Sequence, residues 1–187
     1  NVLLLHDLVQ STPGEVVRWA LLSAHYRQPL DWNQSLLDKS RKNLDRLYGA
    51  LRRAEGVEAL GDAPSPEFLD AISDDLNTPG AMAAMFVLSS EIERAMTAGD
   101  HTAVGVAKTA LMACGRILGV LLSSPDAWFE GGADDALKTE VEGLLAERIT
   151  ARVEKNWAEA DRIRDRLTAL NVVVMDGPTG ATWRLGA

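Results

Sequence analysis

The chain has 187 residues, of which 47% are hydrophobic and 25% charged, a composition typical of globular domains. Its formal net charge of -8 argues against a general nucleic-acid binder, because such proteins carry broad basic surfaces. No apolar run approaches the ~20 residues of a membrane-spanning helix. The one cysteine, Cys114, excludes an internal disulfide; its apolar neighbours predict a small core residue of a reduced, cytoplasmic protein.

The first half of the chain carries strong helix signals. Thr12-Pro13-Gly14-Glu15 predicts a helix start in which Thr12 caps and Glu15 completes a capping box. A second helix is predicted from about Asn33 to Arg53, with an apolar side formed by Leu36, Leu37, Leu44, Leu47 and Leu51. Its other face is basic, which is typical either of a solvated surface or of a strip that follows a phosphate backbone.

A helical bundle is predicted to continue beyond the Gly- and Pro-containing segment 56–66. A short helix covers about 67–73, and Asn77-Thr78-Pro79 begins another. A further helix is predicted over 102–122, with core positions at Val106, Leu111, Ile117 and Leu121. Short connections between amphipathic helices are typical of a bundle.

The composition changes after a predicted linker at 123–133. One amphipathic helix is predicted around 137–149, and a second runs from Asn156 to about Leu170. Strands are expected at 172–175 and 181–185, on either side of a Gly-Pro-Thr-Gly turn. The predicted fold is therefore mainly α: a helical bundle followed by a small α+β module with a C-terminal β-hairpin.

No catalytic signature is present in the sequence. It lacks a Gly-rich phosphate loop, a His-Glu-x-x-His motif and a G-x-S-x-G elbow. His6, His25 and His101 are far apart, so neither catalytic nor metal-binding residues are predicted. The pair Asp74-Asp75 precedes a helix start and is expected to face the positive end of that helix dipole.

The informative stretch lies between Arg152 and Arg164. Asn156 is predicted to cap the second helix of the module, with Glu159 completing an Asn-type capping box. Trp157, Asp161 and Arg164 then share a stripe beside the buried positions Ala160, Ile163, Leu167 and Leu170. Either Trp157 staples the two helices beside an ordinary Asp-Arg ion pair, or its exposed indole stacks on an unpaired base.

These residues resemble the C-terminal signature of bacterial cysteinyl-tRNA synthetases, namely Arg152, Trp157-Ala-Glu-Ala-Asp-Arg-Ile-Arg-Asp165 and Asp176-Gly-Pro-Thr-Gly-Ala-Thr-Trp-Arg184. Two upstream stretches resemble the same family, at 22–32 and 74–79. The resemblance implies a class I enzyme that attaches cysteine to tRNA-Cys using ATP. Its catalytic domain, with a thiol-recognising zinc and the HIGH and KMSKS motifs, is expected to precede this chain.

The resemblance also implies which residues bind RNA. The family's readers of the GCA anticodon fall on Arg152, Trp157, Asp161, Arg164 and Asp176. Residues 1–32 resemble the segment after the catalytic loop, which touches the inside of the tRNA elbow. The candidate contacts to the RNA backbone are Arg18, His25 and Arg27 in this segment and Lys39 on the following helix. An equally good interpretation is that these residues hold the segment against the bundle.

The expected organisation is a stem-contact segment (1–32), a helical bundle (33–122), a linker (123–133) and an anticodon-recognition module (134–187). The chain alone is expected to be inactive and without a cofactor, because ATP and zinc belong to the catalytic half. Its expected partners are tRNA-Cys and its own catalytic domain, in a cytoplasmic monomer without membrane contact. Two alternatives stay open: a helical protein-interaction scaffold, and a cysteine ligase paralogue of mycothiol synthesis, which would lack the C-terminal module.

Overall fold

The computed structural model describes residues 4–131, 133, 135–177 and 180–186, with only the backbone described at 176, 177 and 180. Among them, helices and one antiparallel sheet occur in this order: α1 Leu5–Ser11, α2 Gly14–Leu22, α3 Gln34–Arg53, α4 Pro66–Ser73, α5 Thr78–Ala98, α6 His101–Leu118, α7 Pro125–Glu130, α8 Asp135–Val153, α9 Trp157–Ala169, β1 Val172–Gly177 and β2 Gly180–Leu185. The chain divides into two compact units, 1–125 and 126–187. The predicted fold class is confirmed. None of the described helices is long and apolar enough to cross a membrane.

Asparagine caps define the starts of two long helices in the first unit. The Asn33 side chain accepts a hydrogen bond from the Leu36 amide at 2.9 Å, at the start of α3. The Asn77 side chain accepts from the Gly80 amide at 2.9 Å, at the start of α5. Such caps satisfy N–H groups that have no partner within the helix, so both helices begin where the sequence predicts.

The start of α2 differs from the prediction. Pro13 occupies the cap position and no side chain caps the helix, so the roles predicted for Thr12 and Glu15 are wrong. The Glu15 carboxylate instead accepts from the Tyr48 hydroxyl at 2.9 Å and from the backbone amides of Leu121 and Leu122, both at 3.1 Å. Partly buried donors need a partner more than the solvent-exposed start of a helix does, because water cannot replace the missing bond.

The end of α6 also differs, since the helix stops at Leu118 instead of about residue 122. Gly119 adopts a left-handed φ of 69°, and the Val120 amide bonds back to the Gly115 carbonyl at 2.8 Å, a Schellman-type ending. Leu111 and Leu121 are buried as predicted. The predicted core positions of Val106 and Ile117 are wrong, because these side chains are 53% and 51% exposed. Because α6 is apolar nearly all round, its buried face could not be assigned from periodicity.

The buried face of α6 carries small residues, Gly105 and Cys114 among them. A Cβ added at Gly105 would clash with the Glu58 carbonyl oxygen, so the segment after α3 crosses α6 at this glycine. Cys114 is fully buried, which confirms its predicted core position. Burial raises the pKa of its thiol above the ordinary value.

The second unit consists of the α8–α9 helix pair and the β-hairpin. Val172 pairs with Leu185 at one end of the hairpin and Gly177 with Gly180 at the other, while the predicted turn residues Pro178 and Thr179 lie outside the described residues. Seven buried side chains form the core of this unit: Val141, Leu144, Leu145, Ile163, Leu167, Val172 and Trp183.

The short helix α7 lies within the predicted linker 123–133. The domain boundaries given in the sequence analysis stay a prediction.

Candidate nucleic-acid interface

A tight connection brings the end of α8 next to the start of α9. Lys155 adopts a left-handed φ of 58°, and the Asn156 amide bonds back to the Ala151 carbonyl at 2.8 Å. The Asn156 side chain then accepts from the Glu159 amide at 3.3 Å, which confirms the predicted cap. The Glu159 half of the predicted capping box is wrong, because its carboxylate accepts from Arg162 at 2.7 Å. The connection fixes Trp157 as the first residue of α9.

A cavity of about 210 Å³ lies between these two helices. Its lining brings together four predicted anticodon-binding residues and adds two others: Arg152, Trp157, Asp161 and Arg164, with Arg148 and Ala160. Arg148 was not identified from the sequence. The signal was present, because Arg148 lies four residues before Arg152 and therefore on the same face of α8.

Trp157 stands largely in solvent at the mouth of this cavity. Its side chain is 61% exposed, whereas Trp183 of the same unit is 5% exposed and belongs to the core. An indole that staples two helices would be covered by them, so the exposure of Trp157 argues against the staple interpretation. An exposed aromatic ring is available for stacking on an unpaired base.

Asp161 and Arg164 form an ion pair along the wall that α9 contributes. Asp161 Oδ1 lies 3.2 Å from Arg164 Nη1. The Asp161 side chain is 64% exposed and that of Arg164 is 60% exposed. An exposed i, i+3 pair contributes little to stability, because water screens it. The pair can therefore exchange part of its bonding for a ligand, and both a hydrogen-bond acceptor and a guanidinium fork are present at one place.

Charge is segregated on the two sides of the α8–α9 pair. The cavity lining contains three guanidinium groups and one carboxylate, those of Arg148, Arg152, Arg164 and Asp161. A second groove of about 390 Å³ on the other side is lined by three carboxylates, those of Glu147, Glu154 and Glu159. The described lining of the cavity is thus richer in guanidinium groups than in carboxylates, in a chain whose net charge is -8.

Asp176, the fifth predicted anticodon-binding residue, lies in β1 and pairs with Ala181 of β2. Its side chain is outside the described part of the structure. The hairpin nevertheless packs beside α9, because Val172 and Trp183 share the core with Ile163 and Leu167. The placement of Asp176 relative to the cavity stays a prediction.

Three of the four candidate RNA-backbone contacts bind other parts of the first unit. Arg18 donates to the backbone carbonyl of Gly119. Arg27 donates to the Asp75 carboxylate through Nε at 2.8 Å and Nη2 at 3.2 Å. His25 Nε2 lies 3.0 Å from the Asp75 carbonyl oxygen. Lys39 is exposed on α3. These contacts favour the interpretation that residues 18–27 hold the segment against the bundle.

Asp75 therefore has a different role from the predicted one at a helix dipole. Its carboxylate accepts from Arg27 and from the Tyr26 hydroxyl, the latter at 2.7 Å. The hydrogen bonds from Arg27 and Tyr26 lower the pKa of the Asp75 carboxyl below its ordinary value. The hydrogen bond between Tyr26 and Asp75 raises the pKa of the Tyr26 phenol.

Within the described ranges, no group of three or more His, Cys, Asp or Glu side chains is arranged to hold a metal ion.

Comparison with known proteins matches both units to described families. Residues 67–122 match the DALR domain, and residues 134–184 match the cysteinyl-tRNA ligase anticodon binding domain. The cavity lies entirely within the second match. The sequence is similar to curated proteins named cysteine–tRNA ligase, with 60% identity over 185 residues in Caulobacter sp. (strain K31) and 43% over 188 residues in Rhodospirillum rubrum. These alignments cover 99% and 98% of this chain, which spans 40% of the length of each relative.

Proposed function

We propose that the chain belongs to the cysteinyl-tRNA ligase family, whose anticodon-binding domain it matches together with the DALR domain, and that it binds the anticodon loop of tRNA-Cys. The observation that carries this proposal is the cavity between α8 and α9, where the exposed Trp157 stands beside Asp161 and Arg164. The match over residues 134–184 argues against the paralogous cysteine ligase, which is expected to lack this module.

The chemistry of the cavity suits an unpaired nucleotide. Bases of an anticodon loop are single-stranded, so their faces can stack on an aromatic ring and their edges can be read. Stacking on Trp157 would contribute about 1–3 kcal/mol. Arg152 and Arg164 can donate to base acceptors, and Asp161 can accept from amino or imino groups. By resemblance the bases are those of GCA, and Asp176 is a further proposed contact.

The activity of the whole enzyme is proposed from the family. The full-length protein would attach cysteine to tRNA-Cys with ATP, in a catalytic domain that binds ATP and a zinc ion and lies in the part of the relatives that this chain does not span. The present chain would supply tRNA binding and no catalytic group. We propose a monomer acting in the cytoplasm, where the buried thiol of Cys114 would stay reduced.

Contacts to the tRNA backbone by Arg18, His25, Arg27 and Lys39 are a weaker part of the proposal. The first three would have to release or share the intramolecular bonds described above before they could bind a phosphate. Lys39 is exposed on the basic face of α3 and is the simplest candidate of the four. A phosphate contact of this kind would raise affinity for any tRNA without reading its sequence.

The proposal is tested by titrating the chain with two RNA hairpins that differ only in the anticodon. The cognate hairpin carries GCA, and its control carries a swapped anticodon on the same stem. We expect the cognate hairpin to bind more tightly, by about 1–3 kcal/mol for each base whose bidentate contact is lost. Equal affinities at several salt concentrations would contradict anticodon reading and leave only backbone attraction. A chain that bound neither hairpin would favour the protein-interaction scaffold.

A further inference from the structure

Arg148 lies one helical turn before Arg152 on α8 and lines the same cavity. No resemblance assigns it a role. We propose that Arg148 is a further specificity-determining residue, which donates from the α8 wall to acceptor atoms on the edge of the base that stacks on Trp157. This inference rests on the proposed function of the cavity.

The two walls of the cavity differ in what they offer a base. The α8 wall contributes the guanidinium groups of Arg148 and Arg152, which are donors only. The α9 wall contributes the Asp161 carboxylate, which accepts hydrogen bonds, together with Arg164, whose Nη1 lies 3.2 Å from Asp161 Oδ1. A base held between the walls must therefore present acceptors towards α8 and can present donors towards Asp161.

This arrangement restricts the base that fits. Guanine has two neighbouring acceptors, O6 and N7, together with amino and imino donors. Cytosine has neighbouring acceptors at O2 and N3, together with an amino donor. Adenine has no neighbouring pair of acceptors, because its amino group separates N7 from N1 and a C–H group separates N1 from N3. The α8 wall should therefore select guanine or cytosine and reject adenine.

The position of Arg148 favours a base edge over a phosphate as its ligand. Arg148 is half-buried, whereas Arg152 one turn later is exposed. A phosphate of the RNA backbone stays at the rim of a cavity, where exposed cations meet it. The cavity lining also includes Ala160, which has the smallest side chain of the six lining residues. A guanidinium in the α8 wall can reach the edge of a base held in the cavity.

The experiment compares the 187-residue chain with its Arg148→Lys variant, which keeps the charge and loses the planar fork. The dissociation constant is measured for the GCA hairpin and for copies with one anticodon base replaced at a time. We expect Arg148→Lys to weaken binding of the GCA hairpin by about 5- to 150-fold, as loss of one bidentate contact would. The loss should disappear on the one hairpin whose replaced base is the guanine or cytosine that Arg148 reads.

Arg162→Lys is the matched control, because it makes the same change on the other side of the helix pair, where Arg162 binds Glu159. It should leave the whole series unchanged. An equal fold-loss on every hairpin for Arg148→Lys would overturn the inference and assign Arg148 to a phosphate or to folding. Thermal unfolding followed by circular dichroism separates those two outcomes.

The result also separates this inference from the proposed function. A wild-type chain that binds all hairpins equally would reject anticodon reading, whatever Arg148 does. A wild-type chain that discriminates, with an Arg148→Lys variant that discriminates equally well and binds as tightly, would reject the role of Arg148 alone. Selection of adenine at the position that Arg148 reads would overturn the assigned base class.

Discussion

The Tyr48 hydroxyl donates to the Glu15 carboxylate at 2.9 Å and accepts from the Ser123 amide at 3.2 Å. The same carboxylate accepts from the amides of Leu121 and Leu122. One partly buried acid thus joins α2, α3 and the segment that follows α6. Burial raises the pKa of the Tyr48 phenol, so this hydroxyl keeps its proton and stays a donor at all physiological pH values.

We expect Glu15→Gln to lower the free energy of unfolding of the first unit by about 1–3 kcal/mol. The amide group of glutamine would turn N–H donors towards backbone N–H groups, and at least one partly buried donor would lose its acceptor. Urea unfolding followed by circular dichroism measures the change. Tyr48→Phe and the double variant complete the cycle, in which the two residues should couple by more than about 0.5 kcal/mol. Additive effects would show that the two side chains act independently.

We expect Trp157→Ala to weaken binding of the GCA hairpin by about 1–3 kcal/mol while the unfolding transition hardly changes. The reason is that Trp157 is 61% exposed, so its removal opens little space in the core. Trp183→Ala is the matched control, because the same truncation of a core indole should cost about 3–5 kcal/mol of stability. If Trp157→Ala instead lost stability and bound RNA normally, the staple interpretation would be correct.

The ion pair of Asp75 with Arg27 predicts a stability difference that depends on pH. Hydrogen bonds from Arg27 and Tyr26 lower the pKa of Asp75 in the folded state below the ordinary value of 3.8. The stabilisation is therefore present above that value and is lost as the pH falls through the lower folded-state pKa. Wild type should be more stable than Asp75→Asn near neutral pH, and the two should converge in acid. A gap that widened in acid would contradict this role of Asp75.

Cys114 is expected to react with thiol reagents only when the first unit opens. Its side chain is fully buried, and burial raises the pKa of the thiol, so both access and the thiolate form are disfavoured. Labelling should be slow in buffer and fast in denaturing urea, with a small free thiol as the reference rate. Because the chain has no other cysteine, the signal reports on α6 alone. Immediate labelling of the folded chain would contradict the described core.

Local signals in the sequence predicted three helix starts correctly. Asn33, Asn77 and Asn156 each cap a helix that begins where predicted, because the partner of a cap lies three residues away in the chain. Helical phase also placed Trp157 off the buried stripe of α9, and the structure shows its ring exposed. Information of this kind needs no knowledge of how distant segments meet.

Roles that depend on distant segments could not be predicted. Glu15 and Asp75 both stand near helix starts, which favours capping or dipole roles. Their partners instead include Tyr48 and Arg27, each separated from them by tens of residues. One sequence does not show which of its acids a remote tyrosine or arginine will meet. Only the folded structure decides between a local and a distant acceptor.

Arg148 was missed for a different reason, because its signal is local. It lies four residues before Arg152, so helical periodicity alone places the two side chains on one face of α8. The family signature begins at Arg152 and so does not include Arg148. Two arginines at helical spacing are nevertheless enough to define this wall of the cavity.

All described side chains that line the cavity come from the continuous stretch between Arg148 and Arg164. The cavity therefore needs only neighbouring segments to meet, which is a low contact order for a ligand site. A helical hairpin bearing this stretch, grafted with its supporting strands, should carry its base preference into an unrelated protein.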